Sequence, residues 1–279
     1  MMEPLIDAGE LQRRLGDPGL VVVDCRHSLA DPDFGEQAYQ GGHIPGAVFL
    51  HLDRDLSGTL TGRNGRHPLP SVGRLAERLG QVGVDVSARV VAYDDAGGPF
   101  AARLWWLLRW LGHDRVSVLD GGLQAWVSSG GALESGVIVP RALAPLGGGP
   151  RSGNVVGAEE LPALQQSGVV LVDARSPDRF RGENETLDPV GGHIPGAVNR
   201  FFRDNLTADG RFKAAQVLRQ EWLALLGAQD VAVVDYCGSG GTAWHIQLAR
   251  AVAGWPPGRL YAGSWSEWCA DPSRPLAVG

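Results

Sequence analysis

An internal repeat constrains this chain more than any other feature. The six residues Gly-His-Ile-Pro-Gly-Ala stand at positions 42–47 and again at 192–197. Six identical residues at matching places in two halves are hard to obtain by chance, and such self-similarity indicates a duplicated structural unit. We therefore predict two domains of one fold, at residues 1–135 and 154–279, joined by a linker at 136–153 that is rich in Gly, Pro and Ala.

The pattern between the repeated motifs indicates alternating strands and helices. Short apolar, β-branched runs are typical of buried parallel strands, and apolar residues three and four apart are typical of helices. The predicted strands lie at 20–23, 48–50, 89–93, 116–119, 169–173 and 231–236, and the predicted helices at 5–15, 75–82, 101–111 and 242–253. This alternation predicts an α/β fold in which each domain is a mainly parallel sheet with helices on both faces.

Composition limits the classes of partner and compartment. A net charge of −6 offers no basic surface for nucleic acid, and no apolar run reaches the roughly 18 residues that span a membrane. The first residues lack the basic and apolar regions of a signal peptide. The 3 cysteines are too few and too scattered for a disulfide framework or a zinc site. We therefore expect a cytoplasmic protein that binds neither nucleic acid nor membrane and needs no metal.

The chemical centre of the sequence is Cys237. It follows the predicted strand 231–236, and the small residues Gly-Ser-Gly-Gly-Thr at 238–242 follow it; residues 237–242 are named the cysteine loop. Ligands of parallel sheets bind at the carboxyl ends of strands, and glycines let backbone N–H groups turn inward to form an anion nest. Such a nest stabilises a thiolate, so we predict that Cys237 is a nucleophile, with a buried structural cysteine as the alternative.

The duplication supplies an internal comparison for this cysteine. Residues 90–93 in the first half match residues 233–236 in the second. The residue after the match is Asp94 in the first half and Cys237 in the second. The first half therefore has the fold without the nucleophile, and we predict one active site per chain.

Residues that occur in both halves are interpreted as structural. His43 and His193, inside the repeated hexapeptide, are present in the half without a nucleophile as well as in the other. The Asp and Arg residues at the two ends of 24–26 and 173–175 are duplicated in the same way. We expect the histidines to shape turns and each Asp to pair with its Arg within its own domain.

Four motifs together resemble the two-domain rhodanese-type sulfurtransferases. They are the repeated hexapeptide, Asp-Ala-Arg at 173–175, Cys-Gly-Ser-Gly-x-Thr at 237–242 and Gly-Ser-Trp-x-Glu-Trp at 263–268, and the resemblance covers nearly the whole chain. It implies an enzyme that takes a sulfur atom from a small-molecule donor onto Cys237 as a persulfide. The sulfur then passes to a thiol, to cyanide or to a thioredoxin-like acceptor, without a cofactor. The loop Cys-Gly-Ser-Gly is similar to that of the 3-mercaptopyruvate sulfurtransferases, whereas thiosulfate-preferring members typically carry two basic residues after the cysteine.

The resemblance also implies a proton relay. Asp53, His67 and Ser239 match positions that form a proposed Asp–His–Ser relay in the mercaptopyruvate enzymes. A hydroxyl near the donor passes a proton to the pyruvate enolate as the C–S bond breaks. Histidine suits the middle position because it exchanges protons near neutral pH.

Donor binding is assigned by the same resemblance. Arg179 matches the arginine that grips the donor's carboxylate or sulfonate, and the planar guanidinium suits an oxyanion. The backbone of Gly238, Gly240, Gly241 and Thr242 is expected to hold the transferred sulfur, because a ring of N–H groups stabilises its negative charge.

The sequence departs from the mercaptopyruvate pattern in two places. Gly241 stands where the family usually has Val. The family's second donor-binding arginine precedes the second hexapeptide, yet residues 182–192 contain neither Arg nor Lys. Arg200 or Arg203, just after that motif, could substitute.

Three alternatives remain open: thiosulfate as the donor, a cysteine hydrolase that uses Cys237 with His67, and a persulfide carrier for a protein partner. A hydrolase needs a base beside the thiol, whereas His67 is matched to a serine relay. The intact Cys237, Arg179 and loop glycines argue against an inactive module, though not against a protein acceptor. We expect 3-mercaptopyruvate to be the preferred donor, because the cysteine loop has no cation for the doubly charged thiosulfate.

Overall fold

The computed structural model describes residues 2–279, and these form two compact units. The first unit holds the chain up to Gly58, together with Pro70–Arg151 and Ala208–Phe212. The second unit holds Thr59–Leu69, Ser152–Thr207 and Lys213–Gly279. The sequence predicted each domain as one continuous range, whereas in the structure a short segment of each half belongs to the unit of the other half.

The first unit is built on a five-stranded sheet in the order β1-β5-β4-β2-β3, with every pairing parallel. Its strands are β1 (Leu5–Ile6), β2 (Leu20–Asp24), β3 (Val48–Phe49), β4 (Arg89–Tyr93) and β5 (Val116–Leu119). Its helices are α1 (Ala8–Arg14), α2 (Phe34–Gly41), α3 (Val72–Gln81), α4 (Pro99–Trp110) and α5 (Gly122–Ser128). The predicted α/β class and parallel sheet are confirmed.

One predicted helix begins too early. Residues 5–15 were expected to be helical, but Leu5 lies in β1 and pairs with Val118 of β5. Asp7 then begins α1, because its side chain accepts a hydrogen bond from the N–H of Glu10 at 2.8 Å. The leucine spacing could not show that the residues before this N-cap add a strand to the sheet edge.

The second unit has a four-stranded sheet in the order β7-β6-β8-β9, again with every pairing parallel. Its strands are β6 (Val170–Asp173), β7 (Val198–Asn199), β8 (Val233–Tyr236) and β9 (Arg259–Leu260). Its helices are α6 (Leu161–Gln166), α7 (Pro177–Arg181), α8 (Ala215–Leu226), α9 (Ala243–Val252) and α10 (Ser264–Trp268), with 3₁₀ turns at Ala158–Glu160 and Phe202–Asn205. Strand β8 lies between β6 and β9 and is therefore an interior strand. Its carboxyl end has a neighbouring strand on each side.

The repeated residues build the same network in each unit. In the first, the Arg26 guanidinium donates to Asp24 at 2.6 Å and to the carbonyl of Gly42 at 2.7 Å. The N–H of Ile44 donates to the hydroxyl of Tyr93 at 3.2 Å. The predicted pairing of Asp and Arg within each domain is confirmed, since the second unit repeats all of these contacts, with Arg175, Asp173, Gly192, Ile194 and Tyr236 in the equivalent places.

The duplicated histidines shape the hexapeptide turns. His43 lies on the ring of Tyr39, and its Nδ1 is 2.7 Å from the Tyr39 carbonyl. His193 lies on Phe180 in the same manner, with Nδ1 2.8 Å from that carbonyl. The two histidines therefore make the same structural contacts in both units, which explains why the hexapeptide is present in each half of the chain. Across residues 2–279, no helix combines the length and apolar composition needed to cross a bilayer.

Candidate active site

Cys237 is the first residue after β8, and the cysteine loop leads directly into α9. The strand is fully buried, as expected for a short apolar run between two parallel neighbours. Helix α9 begins at Ala243, with Thr242 as its N-cap residue. The predicted strand, tight loop and helix are therefore confirmed, and the cysteine stands at the carboxyl end of an interior strand.

The loop backbone surrounds the sulfur with hydrogen-bond donors. The N–H of Gly240 donates to Cys237 Sγ at 3.0 Å, and the N–H of Thr242 donates at 3.4 Å. Gly240 has φ +83°, a left-handed conformation that glycine adopts without strain. Cys237 itself is only 1% exposed. A sulfur held by two N–H donors at a helix N-terminus is placed to carry negative charge, as thiolate or as persulfide.

The first unit has the same nest, filled by a carboxylate. Asp94, the counterpart of Cys237, accepts four backbone hydrogen bonds of 2.8–2.9 Å, from Ala96, Gly98, Phe100 and Ala101. Burial raises the pKa of Asp94, while the four N–H donors act to lower it. The fold thus presents an anion-binding loop at this position in both units, and only the second places a nucleophile in it.

Gly238 and Gly241 differ in what they do for the loop. A Cβ atom on Gly238 would lie 3.2 Å from the Arg179 guanidinium, whereas one on Gly241 would meet only the Ser239 hydroxyl, at 3.9 Å. Gly238 therefore permits the close approach of Arg179. There is room for a small side chain at position 241. Crowding therefore does not explain why this chain has Gly where the family usually has Val.

Ser264 is a site residue that the sequence reasoning missed. Its hydroxyl accepts a hydrogen bond from the N–H of Cys237 at 3.1 Å and lies 3.8 Å from Sγ. It also donates to the carbonyl of Tyr261 at 3.1 Å. Ser264 has φ +56°, the one left-handed non-glycine residue among those described. Residues 120–126 of the first half match residues 262–268 of the second, so the counterpart of Ser264 is Gly122, which has φ +57°. The repeat therefore contained the signal: glycine in one copy and serine in the other.

The structure brings Ser239 and His67 together, as the sequence predicted. His67 Nδ1 lies 2.9 Å from Ser239 Oγ, and the N–H of His67 donates to the Ser239 carbonyl at 3.2 Å. Both side chains are buried. Residue 67 belongs to the second unit through the segment Thr59–Leu69. The contact orients the Ser239 hydroxyl within the cysteine loop, and the role of this pair as a proton relay stays a prediction.

Asp53 lies in the first unit, and its place in the relay likewise stays a prediction. Its carboxylate is 42% exposed and lies 4.0 Å from His27 Nε2. His27, His51 and Asp53 form the one cluster in residues 2–279 with ligand atoms close enough for a metal ion. Both ring nitrogens of His51 already have hydrogen-bond partners. Its Nδ1 accepts from the N–H of Asp53 at 3.0 Å, and its Nε2 is 3.0 Å from the Pro32 carbonyl. The cluster is therefore a hydrogen-bonded turn.

Arg179 lies against the cysteine loop. Its guanidinium forms a two-pronged ion pair with Glu185, with Nε to Oε2 at 3.0 Å and Nη2 to Oε1 at 2.8 Å. The side chain is 21% exposed. The distance to Gly238 places its charge directly beside the residue after the nucleophile.

Arg200 and Arg203, the predicted substitutes for a second arginine, have other surroundings. Arg200 Nη2 donates to Asn205 at 2.9 Å and to Glu221 at 2.6 Å, and its guanidinium lies over the ring of Trp222. Arg203 is exposed and lies over the ring of Phe202. The guanidinium of Arg200 is thus held by side chains of α8. Donor binding by Arg200 or Arg203 stays a prediction, and these contacts do not support it.

The other two cysteines are poorly suited to nucleophilic chemistry. Cys25 and Cys269 are both buried free thiols. Burial raises the pKa of Cys25 well above its ordinary value and that of Cys269 to about 11, and nearby carboxylates act in the same direction. Both thiols are therefore protonated near neutral pH.

Comparison with known proteins agrees with this geometry. The model of the rhodanese-like domain matches residues 7–129 and again residues 157–271. The chain belongs to the rhodanese family and carries two copies of its domain.

Particular relatives span almost the whole chain. A probable 3-mercaptopyruvate sulfurtransferase from Pseudomonas aeruginosa is 50% identical, over 99% of this chain and 98% of its own length. A putative thiosulfate sulfurtransferase from Mycobacterium tuberculosis is 42% identical, over 99% of this chain and 97% of its own length. The solved 3-mercaptopyruvate sulfurtransferase from Leishmania major superposes with a TM-score of 0.85 at 30% identity, over 95% of this chain and 74% of its own. The predicted family and fold are confirmed.

Proposed function

We propose that this protein is a sulfurtransferase that takes a sulfane sulfur from 3-mercaptopyruvate onto Cys237 and passes it to a thiol or to cyanide. The observation that carries the proposal is the environment of Cys237 Sγ, which accepts N–H hydrogen bonds from Gly240 and Thr242. The equivalent nest of the first unit already holds a carboxylate, Asp94. A loop of this kind stabilises the thiolate before the reaction and the persulfide after it.

In the first half-reaction the Cys237 thiolate attacks the sulfur of 3-mercaptopyruvate. The new S–S bond forms as the C–S bond breaks, and the electron pair of that bond remains on carbon as the pyruvate enolate. The enolate needs a proton, which the Ser239 hydroxyl supplies and His67 replaces through their 2.9 Å contact. The products are pyruvate and a Cys237 persulfide.

In the second half-reaction an acceptor attacks the outer sulfur of the persulfide. The S–S bond breaks, Cys237 leaves as a thiolate, and the N–H groups of Gly240 and Thr242 again receive its charge. Cyanide gives thiocyanate, and a thiol gives a new persulfide or, after a second thiol, a disulfide and hydrosulfide. A low-molecular-weight thiol and a thioredoxin-like protein both meet this requirement. Because thiols need a reducing compartment, and all 3 cysteines are free, we place the reaction in the cytoplasm.

Thiosulfate is the second candidate donor. The name of the Mycobacterium tuberculosis relative favours it, and the guanidinium of Arg179 fits a sulfonate as well as a carboxylate. The loop residues 238–242 carry no cation to balance its second charge. A cysteine hydrolase is disfavoured, because His67 Nδ1 is engaged with Ser239.

The test is a comparison of kcat/KM for 3-mercaptopyruvate and for thiosulfate, with cyanide as a common acceptor. We expect 3-mercaptopyruvate to be the better donor by at least about tenfold, which corresponds to about 1.4 kcal/mol in the transition state. A higher kcat/KM for thiosulfate would replace the donor in this proposal while leaving the persulfide chemistry in place.

A further inference from the structure

A cavity of about 240 Å³ lies at the amino ends of the strands of the first unit. Its lining includes Gly19 directly before β2, Arg89 at the start of β4 and Arg115 directly before β5. Strand β4 lies between β5 and β2, so Arg89 stands in the middle of this edge of the sheet. Asp94 follows β4 at its opposite end, so the cavity is separate from the anion-binding loop of the same unit.

The charged groups of this cavity are mostly cationic. Its lining contains the guanidiniums of Arg14, Arg89 and Arg115, and the carboxylate of Asp17 is the one acidic group among them. This excess of positive charge occurs in a chain whose net charge is −6. Like charges that share a cleft repel each other and attract counterions, so an anion bound between them is stabilised.

Two of the three guanidiniums have no partner in the protein. Within residues 2–279, the side chains of Arg89 and Arg115 make neither a hydrogen bond nor an ion pair. Arg89 is nevertheless half-buried, whereas Arg115 is exposed. Arg14 is held by Glu10, which accepts from its Nε at 2.8 Å and from its Nη2 at 2.6 Å. A half-buried arginine is normally paired, so the isolated charge of Arg89 indicates a ligand that the chain itself does not supply.

The remaining polar groups of the lining do not neutralise these cations. Asp17 forms no ion pair with any arginine in the part of the chain that the structure describes. The Ser87 hydroxyl donates to Asp85 at 2.8 Å. The N–H of Gly19 makes no hydrogen bond with a described residue, so it is a further donor available to an anion.

The repeat shows that the fold does not require the two unpaired arginines. One pair of matched stretches contains β4 and β8, and the other follows β5 and β9. Extension of these matches toward the amino ends of the strands places Ala232 at the position of Arg89 and Pro257 at the position of Arg115. The second unit therefore builds the same edge of a parallel sheet with two uncharged residues. The arginines are a feature of the first unit alone.

We propose that this cavity binds a phosphate group, either as free inorganic phosphate or as part of a small phosphorylated metabolite. The planar fork of a guanidinium matches two oxygens of a tetrahedral oxyanion, and several cations around one site favour a dianion over chloride. The cavity has the liquid volume of roughly eight water molecules, so it holds a phosphate and leaves room for an attached group. The site is an addition to the proposed sulfur transfer and does not depend on it.

Isothermal titration calorimetry with inorganic phosphate and with ribose 5-phosphate tests this site, with sodium chloride keeping the ionic strength constant. We expect the wild type to bind with a Kd of about 1 mM or lower. Arg89→Ala and Arg115→Ala should each raise Kd about tenfold or more, because a charge-assisted contact is lost. Arg13→Ala is the matched control, since this exposed arginine of α1 does not line the cavity, and its Kd should stay within about twofold.

Thermal unfolding supplies a second readout and shows whether the variants fold. In phosphate-free buffer, Arg89→Ala and Arg115→Ala should unfold at the wild-type temperature or above it, because each removes a cation that has no partner. Inorganic phosphate at about ten times its Kd should raise the Tm of the wild type by about 2–5 °C and leave both variants nearly unchanged.

The two ligands distinguish the sources of the phosphate group. Tighter binding of ribose 5-phosphate supports the site with a phosphorylated metabolite as its occupant, and equal or weaker binding supports it with free phosphate. Absence of binding by the wild type up to about 10 mM of either ligand overturns the proposal. Equal Kd values for the wild type and both arginine variants also overturn it. A lower Tm of both variants without phosphate, with the same rise on its addition in all proteins, would assign the arginines a structural role instead.

Discussion

The hydroxyl of Ser264 lies 3.8 Å from the sulfur of Cys237 and accepts the hydrogen bond of the cysteine N–H. Ser264 does this in a left-handed backbone conformation for which the first unit uses Gly122. A side chain in this conformation costs about 1–2 kcal/mol. Ser264 occupies this position despite the strain of its backbone. We therefore interpret its hydroxyl, which accepts from the N–H of Cys237, as the group that fixes the start of the cysteine loop.

The strain and the hydrogen bond can be separated with two variants of Ser264. Ser264→Ala keeps the strain and leaves the buried N–H of Cys237 without its acceptor, so we expect a loss of about 1–3 kcal/mol in the free energy of unfolding. Ser264→Gly loses the same acceptor but relieves the strain, so it should be more stable than Ser264→Ala by about 1–2 kcal/mol. Urea unfolding of both variants measures the difference, and equal stabilities would show that the backbone is not strained.

Ser239→Ala tests the proton step. We expect kcat for 3-mercaptopyruvate to fall about 10²-fold or more, because the enolate loses its positioned proton donor. Turnover of thiosulfate should change by less than about threefold, since sulfite leaves without needing a proton on carbon. Steady-state assays with both donors make the comparison. Intact turnover of 3-mercaptopyruvate would remove Ser239 and His67 from the mechanism.

Arg179→Ala tests the first donor contact. Loss of a charge-assisted contact to the donor should cost roughly 1.5–3 kcal/mol, or about 10- to 150-fold in kcat/KM. Iodoacetamide should still modify Cys237, because that reaction needs no anion contact. Arg181→Ala is the matched control: this arginine lies two residues further along and pairs with exposed Glu183. Equal kcat/KM for the two variants would place Arg179 outside the donor site.

A buried carboxylate on the strand that carries the nucleophile predicts a pH dependence of stability. Burial raises the pKa of Asp235 to about 6, with Arg250 acting in the opposite direction from 3.8 Å. The folded state therefore binds this proton more tightly than the unfolded chain, whose carboxyl has a pKa near 3.9. The corresponding stability is fully present below about pH 4 and is lost as the pH rises through about 6.

Asp235→Asn removes this titration. The free energy of unfolding of the wild type minus that of the variant should fall by roughly 2–3 kcal/mol between pH 4 and pH 7. Urea unfolding across this range gives the two profiles, and any constant offset from the unpaired Arg250 cancels in their slopes. Parallel profiles for the two proteins would contradict a raised pKa at Asp235.

Local features of the fold and site could be predicted from the sequence. The strand, cysteine loop and helix around Cys237 depend on neighbouring residues, so the apolar run and the glycines were sufficient. The Asp24–Arg26 pair could be interpreted as structural because the duplication showed it twice. Ser239 and His67 were brought together only by resemblance, since nothing local joins residues so far apart in sequence.

Features that depend on long-range packing could not be predicted. The leucine spacing predicted a helix that includes Leu5, whereas this residue lies in β1 and pairs with Val118 of a distant strand. Arg200 stood near the expected place along the chain, but its guanidinium is held by Asn205 and Glu221. The contact of His67 with Ser239 arises because residues 59–69 belong to the second unit, which no composition shift indicates.

We expect Cys237 alone to carry the transferred sulfur. The most direct measurement is the mass of the intact protein after exposure to 3-mercaptopyruvate without an acceptor, followed by peptide mapping. We predict the addition of one sulfur atom, located on Cys237, absent from Cys237→Ser, and released as thiocyanate when cyanide is added. Sulfur on Cys25 or Cys269, or no added mass while pyruvate is still released, would contradict it.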